Sequence, residues 1–397
     1  MTHSRHSISL ASSPSRLSRR TWLARSAALA GSTSAAWIAS PALAQQPRSN
    51  AAARTLRVVQ LLDTSGDQQE LSRDYSTGVR LALAEAKQSG GRVPQLVSID
   101  TDGSPESLRD ALAQVKADAS QVALLGAVGG RLAAASIAAA KQAQLEIAHV
   151  APWLADTRFD NERSVFTIFA SREAQIRHAL GALATVGIAE LGLIYPSARE
   201  EDAVQEEIDA IATRLKLRAR RLSVPRGQEI AAYAASLRDD IPAFLLFLGG
   251  SIELAQFTQG LAKQKLPRYI ICLSDVDTTT LLQLNPGKSA SIIFAQVVPN
   301  PQSNSAPFVR SYRSTLKALF DEAPSPVSLA GYVAGHYAAR VLGGLDANAS
   351  RAAVLAEFDS RRSLDLDGYR IEFAAHAGRG STFVSQTMLG ANGKLIG

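Results

Sequence analysis

From Leu56 onward, short apolar runs alternate with stretches in which apolar residues recur every three or four positions, the pattern of parallel strands covered by crossover helices. Leu56 to Leu62 reads as the first strand, and a helix is expected from about Asp74 to Lys87. Gln95 to Ile99, Val122 to Gly126, Leu145 to Val150 and Ser164 to Phe169 read as the next four strands. Ser104-Pro105-Glu106 marks a helix start: Ser caps free N–H groups, Pro fits the first turn and Glu suits the positive end of the dipole. Gly129-Gly130 leads into an Ala-rich helix.

The rhythm then begins again. Gly192 to Tyr195, Ala243 to Phe247, Tyr269 to Leu273 and Ser291 to Val298 read as strands, the first three each leading into a helix. A polar, proline-marked connector, Pro299 to Asn304, precedes two helices at about 306–320 and 327–342. The tail from Gly368 to Gly397 alternates apolar and polar residues with Asn392-Gly393 as a tight turn, so it reads as strands returning to one of the sheets. Two series of strand-helix units point to an α/β fold with two sheets, and so to two doubly wound, Rossmann-like lobes.

What precedes Leu56 has a different character. Arg19-Arg20-Thr21-Trp22-Leu23, a mildly apolar Ala-rich run and Ala42-Leu43-Ala44 have the layout of a signal peptide over residues 1–44, cleaved near Ala44. The paired arginines resemble a twin-arginine signal, with Sec export as the alternative. No cysteine stands near the cleavage site to take a lipid. The leader also carries the charge. The chain has 42 Lys and Arg against 36 Asp and Glu, and removing Arg5, Arg16, Arg19, Arg20 and Arg25 leaves 37 against 36. A near-neutral mature chain gives no support for nucleic-acid binding. Its single cysteine, Cys272, lies in an apolar run and reads as a buried strand thiol.

Several local patterns carry a resemblance: Tyr75-Ser76-Thr77-Gly78, Lys87-Gln88-Ser89-Gly90-Gly91, Asp100-Thr101-Asp102-Gly103-Ser104 and Phe247-Leu248-Gly249-Gly250, in the element order above. With them the chain from about residue 55 to 397 resembles the type I periplasmic binding proteins, in particular the leucine/isoleucine/valine-binding branch. The resemblance implies two lobes, at 54–168 plus 298–378 and at 169–297 plus 379–397. It also implies three crossovers near 168–171, 294–299 and 376–382. It further implies a periplasmic receptor, monomeric and without cofactor, that closes on a small molecule and delivers it to an ABC permease in the inner membrane.

In open parallel sheets ligands sit beyond the carboxyl ends of the strands, which selects the candidate contacts. In the first loop these are Ser65, Leu71 and Tyr75, the last also suited to a core position. Gly129, Gly130 and Arg131 open a helix whose free N–H groups suit an anion; close packing of the glycines and a solvated Arg131 are the alternatives. Relatives usually carry a hydroxyl residue where Gly130 stands, so the standard carboxylate grip of the family is in question. Ala151 and Trp153 follow the fourth strand, and Trp153 either stacks on a flat ligand or seals the lobe edge. The second lobe contributes Phe169, Glu200 with its neighbour Arg199, Ser251 and Asp275. The resemblance puts Asp275 where amino-acid-binding relatives hold the acid that pairs with the ligand ammonium. A helix cap is the alternative for Asp275, and Asp277 competes for the same role.

An enzyme would need machinery that the sequence does not display. Four histidines of the mature chain, at 149, 178, 336 and 376, are scattered, with no His-Glu-x-x-His, paired-Cys or Gly-x-Ser-x-Gly pattern. A sensor of the same fold, reporting to a membrane partner, meets the same sequence requirements. The ligand classes left open are amino acids, amides and aromatic or simple carboxylic acids.

Overall fold

Apolar runs buried on both faces form two separate sheets. The computed structural model describes residues 55–66, 68–264, 266–287, 290–373, 378–390 and 395–397; the leader, His376 and the Asn392-Gly393 turn lie outside them. The first sheet comprises β1 (Arg57–Asp63), β2 (Gln95–Thr101), β3 (Gln121–Leu125), β4 (Ala148–Val150) and β5 (Val165–Phe166). All are parallel, in the order β2-β1-β3-β4-β5. Its crossover helices are α1 (Gln69–Gln88), α2 (Pro105–Ala117) and α3 (Gly130–Gln142). The expected cap of α2 is present, with Ser104 Oγ accepting from Ser107 N at 3.2 Å.

The second sheet takes β6 (Glu190–Tyr195), β7 (Arg218–Ser223), β8 (Phe244–Phe247), β9 (Arg268–Cys272) and β10 (Ala290–Gln296) in parallel. Its helices are α4 (Arg172–Thr185), α5 (Ala198–Arg214), α6 (Ile230–Ser236), α7 (Ser251–Leu261) and α8 (Thr278–Gln283). Three further helices, α9 (Pro307–Leu319), α10 (Pro326–Leu342) and α11 (Arg351–Asp359), follow β10 and share the core of the first sheet. Where α10 crosses α1, small residues are required: a Cβ on Gly78 would stand 1.8 Å from Ser328 O, and one on Gly331 would stand 2.0 Å from Tyr75 O.

The tail divides. A hairpin of β11 (Leu364–Leu366) and β12 (Tyr369–Ile371) forms its own two-stranded sheet through an Asp367-Gly368 turn with both φ positive. Only β13 (Ser385–Leu389) and β14 (Leu395–Ile396) return, as antiparallel strands that extend the second sheet with β14 at its edge; the order is β14-β13-β10-β9-β8-β6-β7. The expectation that the whole tail joins one of the large sheets is therefore corrected for residues 368–371. Two elements escape the apolar pattern altogether. Strand β7, Arg-Ala-Arg-Arg-Leu-Ser, is an edge strand paired on one side only, so its arginines reach solvent. Helix α11 is short, with only Val354 and Phe358 buried.

Two lobes result, one core drawing on residues 56–170 and 297–373 and the others on 176–295 with Leu395. The crossings run side by side. Gly380 N donates to Thr167 O at 2.8 Å, and the Tyr369 hydroxyl lies 3.3 Å from both Ile168 O and Val297 O. This pairing ends β5 at Phe166, short of the expected Phe169, because the backbone from Thr167 onward is crossing between lobes. Helix α1 starts five residues before the expected Asp74, since the polar turn Gln69-Glu70 is helical too. Cys272 is fully buried in β9, and burial pushes its thiol pKa up, away from reactivity. Among the described residues no helix is long and apolar enough to cross a membrane.

Candidate functional site

At the carboxyl ends of both sheets the loops enclose a cavity of about 360 Å³. The first lobe contributes Gln68 and Leu71 at the start of α1 and Gly129-Gly130-Arg131 at the start of α3. The second contributes Arg172, Arg199, Glu200, Gly250 and Asp275. A side arm of about 220 Å³ shares Gln68, Leu71, Gly250 and Asp275 and adds Ser251, Glu253 and Asp277. Six expected residues, Leu71, Gly129, Gly130, Arg131, Glu200 and Asp275, thus meet on one chamber, and Ser251 lies in its arm.

The two neighbouring acids have separate jobs. Asp277 is the N-cap of α8, its Oδ2 accepting from Thr280 N at 2.6 Å, while its own N–H donates to Ser251 Oγ at 2.9 Å. Asp275 is not a cap. Its loop is held by Gln175, whose Oε1 accepts from Ser274 N at 2.9 Å inside the lobe. The Asp275 side chain is open to the chamber, yet protein crowds it, and this desolvation pushes its pKa up. The Arg172 guanidinium and the indole N–H of Trp153 oppose that rise. Trp153 Nε1 falls short of full hydrogen-bond geometry there and has no other partner.

The opening of α3 is shaped by its glycine. Gly129 has φ of +89°, and a Cβ there would stand 2.6 Å from Gln68 Oε1, so a side chain would both strain the backbone and push Gln68 aside. The helix that follows presents its first N–H groups to the chamber without an acidic residue in its first turn. Arg131 leans back toward Asp63, Nη2 to Oδ2 4.0 Å, at the buried end of β1.

The remaining expected contacts do not line the chamber. Tyr75 is fully buried and donates its hydroxyl to Ala151 O at 2.7 Å. Ala151, at φ of +48°, is buried beside it. Trp153 packs between Tyr75 and Phe169, with ring centroids 6.0 and 5.2 Å away, and both Trp153 and Phe169 are buried. Ser65 spends its hydroxyl on Asp63 Oδ1 at 2.5 Å, closing the turn after β1. Tyr75, Ala151, Trp153 and Phe169 support the wall from behind, half-exposed Ser65 stands outside the lining, and Trp153 acts electrostatically on Asp275.

Sequence reasoning does not single out Gln68 or Arg172. Arg172 is the first residue of α4, directly after the first crossover, and its capping neighbour Ser171 accepts from Ala174 N at 3.1 Å. That Ser-x-x-Ala start was a readable helix signal, but nothing in it says the helix points at a cleft. Arg172 donates Nη2 to Ala203 O at 3.2 Å and lies 3.7 Å from Glu207 Oε2. With its side arm the chamber holds three guanidinium groups, of Arg131, Arg172 and Arg199, and four carboxyls, of Glu200, Glu253, Asp275 and Asp277. Helix N-termini add to the positive groups, so the site offers partners both to an anionic group and to an amino or amide donor. Among the described residues no group of three or more His, Cys, Asp or Glu side chains is placed to hold a metal ion.

Comparison with known proteins agrees with this architecture. The family model described as periplasmic binding protein matches residues 55–391. An extracellular ligand-binding receptor from Verminephrobacter eiseniae superposes with a TM-score of 0.75 at 16% identity, covering 86% of this chain and 100% of its own. A possible leucine/isoleucine/valine-binding protein from Rhodopirellula baltica gives 0.73 at 20% identity, covering 86% and 95%. A fatty acid ABC transporter substrate-binding protein from Thermomonospora curvata gives 0.70 at 15%, covering 86% and 91%. No curated protein matches the chain in sequence. The matched span, the two parallel-rich lobes and the cleft between them place this chain in the periplasmic binding protein family, as a periplasmic receptor for small solutes.

Proposed function

We propose that this receptor captures its ligand in the chamber between the lobes and hands it to an ABC permease of the inner membrane, with no chemistry of its own. The observation that carries the reading is the convergence of both lobes on Asp275: Gln68, Leu71 and Gly129 to Arg131 on one side, Arg172, Glu200 and Gly250 on the other. A ligand touching both sides stabilises the closed arrangement and leaves an open one unaided. Lobes of 54–168 plus 298–378 and 169–297 plus 379–397 follow the core memberships except at the crossings, where Phe169, Ala170 and Val297 pack with the first core.

The ligand is a small molecule with a carboxylate or amide head: an amino acid, an amide or an aromatic acid. Its anionic end meets the α3 N-terminus and Arg131, and Asp275 receives an amino or amide N–H donor. Solved structures of similar fold include a leucine-binding protein from Thermotoga maritima and a fatty acid receptor, so both charged and amphiphilic solutes are within reach of the fold. The protein acts as a monomer after export and cleavage near Ala44. A thermal-shift screen of the exported chain against amino acids, amides and aromatic acids tests this. A ligand in hundredfold excess over its Kd adds about 2.7 kcal/mol of stability; a flat response across all three classes would overturn the reading.

A further inference from the structure

The ring of Trp153 and its one polar atom have different surroundings. The ring is well packed, wedged between Tyr75 and Phe169 with centroids 6.0 and 5.2 Å away, and the residue is 3% exposed. A phenylalanine would fill that packing role. The indole Nε1–H is not satisfied in the same way: it is buried away from solvent and, among the described residues, completes no hydrogen bond. Leaving a buried donor unpaired is costly, and a buried tryptophan N–H usually finds a partner.

The loop that carries Trp153 is tied to both lobes. Its backbone N–H donates to Ala127 O at 2.9 Å, which fixes it to the loop between β3 and α3. Two residues further on, Ala155 O accepts from Arg172 N at 2.9 Å, so the start of α4 is pinned to the same loop. Arg172 and Asp275 both line the chamber from the second lobe. At this junction the acceptor that the indole N–H faces is the Asp275 carboxyl. Indole nitrogen is a donor only and an ionised carboxylate an acceptor only, so the two match, and the bond is strongest to the charged acid.

We propose that Trp153 is a positioning residue of the cleft: from the first lobe its indole N–H holds the Asp275 carboxylate of the second, engaging one oxygen and leaving the other for the solute. Trp153 itself touches no solute and acts through Asp275. Because the two partners belong to different lobes, the bond also ties the aim of Asp275 to the closed arrangement. The inference rests on the receptor reading for the solute that Asp275 meets, whereas the contact itself is a property of the free protein.

The test therefore needs no solute. The exported chain, labelled with ¹⁵N at its indole nitrogens, is titrated with acid, and the Trp153 N–H signal is assigned by its loss in Trp153→Phe; Trp22 and Trp37 belong to the leader. The signal should shift in one step as Asp275 takes up its proton, and the step should vanish in Asp275→Asn, which keeps the shape of the side chain. The other titratable groups of the chamber and its arm are Arg131, Arg172, Arg199, Glu200, Glu253 and Asp277, and a step of their making would survive that substitution. In Trp153→Phe the packing stays and the donor goes, so the Asp275 carboxyl, followed by its ¹³C signal, should protonate at higher pH than in the wild type. If the Phe variant fails to fold, the Asp275→Asn arm decides by itself. An indole signal indifferent to Asp275→Asn, or an Asp275 carboxyl that titrates alike with Trp and Phe at position 153, would overturn the positioning role and leave the receptor reading standing. Both expected titrations together with a flat solute screen would keep the contact and sink the receptor reading.

Discussion

Arg379 donates its Nε–H to Asp160 Oδ2 at 2.8 Å, with side chains 4% and 11% exposed, at the point where the third crossover leaves the first lobe. The same guanidinium donates to Leu154 O and Phe169 O, each at 3.0 Å, and to Asp156 O at 2.6 Å. One side chain thus ties the third crossover to the first and to the loop behind Trp153. Burial raises the Asp160 pKa and the Arg379 charge opposes that rise, the two opposed effects of a buried carboxyl-guanidinium pair. Asp160→Ala would leave a buried cation without its anion, and urea unfolding should show a loss of about 3–5 kcal/mol. A loss under about 1 kcal/mol would mean that the carbonyls alone hold Arg379.

Asp275 and Asp277 should separate cleanly in substitution. Asp277→Ala removes the α8 cap and should cost about 0.5–2 kcal/mol of stability. Asp275→Asn removes no cap. With an amino-bearing ligand it should weaken binding by about 2–5 kcal/mol, roughly 30-fold or more in Kd, while the melting curve of the free protein stays within about 0.5 kcal/mol or shifts upward. Equal affinity in calorimetric titration would remove Asp275 from the site and leave the Gly129-Gly130-Arg131 turn and Arg172 as the ligand's polar contacts.

Asp74, on α1 of the first lobe, sits deep enough that its pKa rises from 3.8 to about 6. Burial is the main cause, Asp277 of the second lobe adds repulsion, Ser325 and Arg73 oppose it, and Glu322 adds a little. Ser325 Oγ donates to Asp74 Oδ2 at 2.9 Å. The folded chain therefore keeps a proton that the unfolded chain has lost between about pH 4 and pH 6. Its stability contribution is full below that window and falls as pH rises through it. Asp74→Asn keeps an acceptor for Ser325 and should stabilise the protein by about 1–3 kcal/mol at pH 7.5, with little change at pH 4. Parallel pH-stability curves for the two proteins would refute the assignment.

The sheets were legible because their strands are apolar runs such as Leu245-Leu246-Phe247, buried on both faces, and the α2 start was legible because Ser104 acts locally. Strand β7 was not, since an edge strand with arginines facing water lacks the apolar signature, and its identity comes only from pairing with β6. The site was legible where topology alone brings residues together, as at Gly129 to Arg131 and Asp275. Sequence singled out Asp275 but left Asp277 as its competitor; what separates them is Ser251 and Gln175, which hold the loop from α7 and α4. Trp153 could be placed at a loop after β4 but not behind the wall, because its burial depends on Tyr75 and Phe169 from distant parts of the chain.

Closure of two lobes on a bound solute is the centre of this account, and small-angle solution scattering of the exported chain reads it directly. With the best binder of the thermal screen at saturation, the radius of gyration should fall and the scattering should fit a more closed arrangement than that of the free protein. An unchanged radius of gyration at full occupancy would contradict capture between moving lobes.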